Sequence, residues 1–147
     1  MSDVTATGLR ADIATAFGEY MASLVQSGAV WAKAPAGAKE GEAAWNGQQV
    51  AEHVAGAGSF FGGAIAKLIN APAAAPSQPV FADVTAAASA TPGAHLGLMA
   101  VVDQVTDAQL AMETEFGPMG KTTLGNVIGV VAYHYRDHAN QLAALRG

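Results

Sequence analysis

Apolar residues recur at steps of three and four in four stretches of the chain, and two-residue alternation is nowhere sustained, so the sequence reads as all-α. The first stretch, roughly residues 3–28, carries Leu9, Ile13, Phe17, Tyr20 and Leu24 on one face, with Gly28 as a stop. Pro35, Gly37, Gly41 and Gly47 then break the pattern and mark a loop. The second stretch runs from about Asn46, a good N-cap residue, to Asn70, with Val50, Val54, Ala57, Phe61, Ile65 and Leu68 on one side. Residues 71–93 contain four prolines, too many for a continuous helix, although a short helical turn fits inside 83–90.

The third helix is predicted to open with Thr91 as N-cap and Pro92 at its first helical position, and to end near Leu110. A turn around Phe116, Gly117, Pro118 and Gly120 separates it from a fourth helix over roughly Thr122 to Leu145. There the period is clearest: Leu124, Val131, His138 and Leu145 fall seven apart, and Ile128, Tyr135 and Leu142 lie four residues after the first three. The expected architecture is a single four-helix bundle domain over residues 1–147. Its long crossover joins helices 2 and 3 and allows those two to run parallel instead of as a hairpin.

Composition narrows the chemistry. With 147 residues the chain is long enough to bury a core without staples. Cysteine is absent, which excludes disulfides, a cysteine nucleophile and thiolate metal sites, so any metal must sit on His, Asp or Glu. Charged residues are only 13% of the chain and the net charge is −5, with no basic cluster, so nothing attracts a nucleic-acid backbone. No stretch reaches the roughly 18 uninterrupted apolar residues of a membrane span, and the first residues lack the basic start of a signal peptide. The chain is expected to be soluble and cytoplasmic. So few surface charges also lead us to expect a homodimer.

Four histidines are present, and two form H-Y-R-D-H at 134–138. Positions four apart on a helix lie about 40° apart around the axis and about 6 Å along it, so both rings can turn to one ion. A bare pair of this spacing is more often ordinary hydrogen-bonded polar groups, but here both rings share the inward stripe of Val131 and Leu142. His53, between Val50 and Val54, adds a third imidazole from the inner side of helix 2. Three histidines leave coordination positions free for water or substrate. Metal ligation is therefore expected at His53, His134 and His138. His95 is expected to be structural or at the surface, with a proton-transfer role near the metal as the alternative. Trp45 reads as a packing anchor, Tyr135 as a core residue and Arg136 as a solvated charge. Glu52 and Asp137 adjoin proposed ligands in sequence but point about 100° away from them. The Glu-x-x-His pattern of diiron bundles is missing.

The segments W-N-G-Q-Q-V-A-E-H-V at 45–54, T-L-G-N-V-I at 123–128 and H-Y-R-D-H-A-N-Q-L at 134–142 resemble the DinB-like (YfiT-like) metalloenzyme superfamily over nearly the whole chain. T-D-A-Q-L at 106–110 resembles that family's exit from its third helix. Trp45, His53, His134 and His138 match its motif positions. The resemblance implies a four-helix bundle, often dimeric, holding a divalent ion such as zinc or nickel on three histidines. Relatives of that kind include transferases that use low-molecular-weight thiols and the N-terminal domain of mycothiol-dependent maleylpyruvate isomerase, whose further C-terminal domain this sequence does not contain. The expected function is metal activation of an exogenous thiol or of water for transfer to, or hydrolysis of, a small-molecule substrate. The alternative is a non-catalytic, stress-associated metal-binding bundle.

Overall fold

A computed structural model describes residues 4–37, 39–73 and 75–147. Four helices hold most of the chain: α1 (Ala6–Val25), α2 (Gly47–Ile69), α3 (Val84–Val102) and α4 (Leu124–Arg146). A two-stranded antiparallel hairpin, β1 (Glu113–Glu115) and β2 (Lys121–Thr123), lies between α3 and α4. These four helices and small hairpin bear out the predominantly α-helical class. No helix of the described residues is long and apolar enough to cross a membrane.

Each helix begins where a side chain can take up the first free N–H groups. The Thr5 hydroxyl accepts from Gly8 N, and the Thr123 hydroxyl from Asn126 N. Asn46 does this most completely: its side chain accepts from Gln49 N while Gln49 Oε1 accepts from Asn46 N, each at 2.9 Å. Asn70, at φ 55°, ends α2 in the left-handed region that asparagine tolerates. The start and stop expected for this helix are therefore met. Asn46→Ala should cost about 1 kcal/mol of stability. A urea midpoint that falls while metal uptake stays unchanged would show that the cap serves the fold alone.

α3 corrects the reading at Thr91 and Pro92. Its N-cap is Asp83, whose carboxylate accepts from Ala86 N at 2.8 Å, and the helix runs on through Pro92. A proline in a helix interior removes one N–H and costs about 3 kcal/mol. Against that stand the buried Ala87, Leu98, Val101 and Val102, with Thr91 Oγ1 donating to Ala87 O at 2.6 Å. α3 also stops at Val102, and the stretch expected to continue it to Leu110 becomes a bend followed by the 3₁₀ turn Asp107–Ala111. α1 begins three residues later than expected and ends at Val25, ahead of Gly28; residue 3 itself lies outside the described residues.

Side-chain contacts set the helix order around the core. α2 meets α3 through two glycines: a Cβ on Gly58 would lie 3.4 Å from Ala94 O, and one on Gly62 would lie 3.8 Å from Leu98 Cα. The residue numbers rise together, so α2 and α3 are parallel, as the long crossover between them suggested. α1 and α4 are parallel by the same token, since Tyr20 faces Tyr135 and Ser23 Oγ donates to Ala139 O at 2.8 Å. α2 and α4 run antiparallel, with His53 near His138 and Phe61 near His134. Ile13, Leu24, Ile65, Leu124 and Leu142 are fully buried where the four faces meet, each such burial contributing about 1.5–3 kcal/mol. The antiparallel α2–α4 contact positions the site.

Candidate metal centre

α2 and α4 bring His53, His134 and His138 together: one ring nitrogen of each lies within 4.8 Å of the other two. His53 Nε2 and His134 Nε2 are 2.9 Å apart, which for two neutral rings means that one donates the proton the other accepts. The ring centroids of His134 and His138 lie 4.4 Å apart, in the relation that the four-residue helical spacing anticipates.

Burial differs among the three. His138 is 2% exposed, and the His53 side chain is 32% exposed, so the cluster runs from the core to an open edge. His134 packs edge-on against Phe61, and its proton affinity is depressed to a pKa of about 3. Desolvation is the main cause, followed by the neighbouring His138 and His53. His53 is also shifted down, first by desolvation and then by His138, with Glu42 opposing. These two rings are therefore held neutral near pH 7, the form in which imidazole binds a metal.

The donor set fits a divalent transition ion. Nitrogen ligands on one zinc at 2.0–2.1 Å stand roughly 3.3 Å apart, between the 2.9 Å and 4.8 Å limits of this cluster. Gln141 Oε1 lies 2.7 Å from His138 Nδ1, so it fixes the tautomer and leaves Nε2 unprotonated for ligation. Gln141 Nε2 in turn donates to the carbonyl of Glu42 at 2.7 Å, tying α4 to the 3₁₀ turn Gly41–Ala44 ahead of α2.

The residues around the cluster divide clearly. Trp45 packs with its ring centroid 4.8 Å from that of His53 and 6.4 Å from that of His138, forming a wall of the site. Glu52 faces away: its Oε2 accepts from Phe81 N at 2.8 Å and Gln48 Nε2 at 3.1 Å, pinning the crossover onto α2. His95 takes no part in the cluster. It stacks on Phe17 with centroids 3.7 Å apart, and its Nδ1 bonds the Tyr135 hydroxyl at 2.9 Å, joining α3, α1 and α4. Arg136 is not simply solvated, since it bonds Asp12 at 2.8 Å and Glu19 at 3.0 Å on α1. That pairing ties α4 to α1 at the surface.

Glu42 and Gln141 were missed at the sequence level. Gln141 had a legible signal, three residues after His138 on the same helix; Glu42 sits in an aperiodic loop and had none. Both residues, with Trp45, Lys33, Lys39 and Asp137, also line a cavity of about 720 Å³. No protein-family profile, curated protein or solved structure matches this chain, so the DinB-like resemblance rests on the quoted motifs alone.

Proposed function

We propose that the chain is a DinB-like metalloprotein whose His53, His134 and His138 hold one divalent ion, zinc or nickel, and that it activates a low-molecular-weight thiol or water for attack on a small-molecule substrate. The observation that carries this reading is the meeting of three imidazole nitrogens within 4.8 Å at an edge that stays partly open. A dication there lowers the pKa of a bound thiol or water and polarises an electrophile. The protein's own part is to keep His134 unprotonated by burial, to orient His138 through Gln141, and to wall the site with Trp45 and Phe61. The half-exposed His53 leaves the approach clear. A closed structural site would instead fill all four coordination positions with protein ligands.

The test uses tag-free protein loaded with cobalt(II). One ion per chain is expected, with an absorption spectrum that shifts on addition of a small thiol. A bound ion whose spectrum no thiol or small anion moves would reduce the site to a staple between α2 and α4 and remove the catalytic reading. No uptake at all would remove both.

A further inference from the structure

Imidazole binds a metal in its neutral form, so three histidine ligands leave a dication's charge uncompensated, which directs attention to a free carboxylate near the cluster. Glu52, next to His53 in sequence, is committed to Phe81 N and Gln48. Asp12 and Glu19 are committed to Arg136. Glu42 differs. Its Oε1 lies 3.8 Å from His53 Nε2, and among the described residues its carboxylate accepts no hydrogen bond. Its main chain is anchored, because its carbonyl accepts from Gln141 Nε2 at 2.7 Å, and Gln141 also holds His138. Its side chain is 60% exposed and has room to change rotamer.

Resting on the metal-site reading, we infer that Glu42 is a displaceable fourth ligand, which closes the coordination sphere at rest and withdraws when an exogenous ligand arrives. Two features support displacement over permanent ligation. Glu42 Oε1 approaches His53 but falls outside the set of nitrogens that lie within 4.8 Å of one another, so it must swing inward to bind. It also lines the cavity of about 720 Å³ together with Lys33, Lys39 and Trp45. The three histidines do not line it, whereas Trp45, which packs against His53 and His138, does. The exchange is simple in its balance: the metal–carboxylate bond breaks, a metal–anion bond forms, and Glu42 returns to solvent as the carboxylate.

Cobalt(II) as the metal and azide as the probe test this on the full chain, because azide binds without proton transfer. Glu42→Ala should weaken cobalt(II) affinity about tenfold, alter the visible ligand-field bands, and bind azide about fivefold more tightly, since no internal ligand competes. Glu42→Gln, nearly isosteric, should fall between the two and keeps the test valid if the alanine variant is poorly folded. Unchanged bands and unchanged azide affinity in both variants would overturn the role of Glu42 while leaving the three-histidine site standing. Wild-type protein that takes up no cobalt(II), or His134→Ala that takes up as much as wild type, would instead overturn the metal reading beneath it.

Discussion

Replacing His134 by alanine is expected to lower divalent-metal affinity by at least about 100-fold, beyond the range seen when only a group behind a ligand is lost. His134 occupies the middle of the site. Its Nε2 is 2.9 Å from that of His53, its ring lies one helical turn from His138, and Phe61 backs it. Removing it leaves two histidine nitrogens on different helices, with only the displaceable carboxylate of Glu42 beside them. His53→Ala and His138→Ala should show the same loss. His95→Ala is the contrasting case. It gives up the stacking on Phe17 and the bond to Tyr135, so stability should fall, yet metal stoichiometry should hold. Competition titration against a chromophoric chelator measures all four variants. Equal affinity in wild type and His134→Ala would remove that ring from the ligand set.

The second large effect is on acid stability. His134 has a pKa of about 3 in the folded protein against an ordinary 6.5, because protonating it means placing a charge in a dry site beside two other imidazoles. Below pH 6.5 the unfolded chain therefore binds a proton that the folded chain refuses. Stability is retained above that pH and falls steadily as pH drops from 6.5 toward 3. One such group contributes a slope of at most about 1.4 kcal/mol per pH unit. His53 and His95 are shifted in the same direction by burial and steepen the loss. Urea unfolding of metal-free protein from pH 7 to pH 4 should follow this course, and His134→Ala should flatten it by about one proton. Identical slopes in the two proteins would mean that His134 titrates normally. Metal-loaded protein should lose its extra stability over the same range, since protons compete for the ligands.

The sequence carried the fold to different depths in different places. α2 was legible at both ends because Asn46 and Asn70 act locally, one through its side chain and the other through its tolerance of positive φ. α3 was not, because the Thr91–Pro92 pair has the form of a helix start while Asp83, eight residues earlier, holds the real one. What decided between them was burial of the α3 face on α2, a tertiary effect that no local signal records. The β1–β2 hairpin escaped notice because three-residue strands are too short to show a period.

The site divides along the same line. His134 and His138 could be paired from spacing alone, since one helix fixes their relation. His53 could be added only on the assumption that α2 and α4 pack with those faces together, which the antiparallel contact at His53–His138 and Phe61–His134 supplies. Glu42 lay beyond sequence reasoning, because its place depends on how the loop ahead of α2 folds back over α4 through Gln141.

X-ray absorption at the zinc edge of stoichiometrically loaded, tag-free protein tests the central claim most directly. Three nitrogen scatterers at about 2.0–2.1 Å, with the multiple-scattering pattern of imidazole, are expected. A first shell of oxygen alone, or one with a single imidazole, would contradict a centre built on His53, His134 and His138.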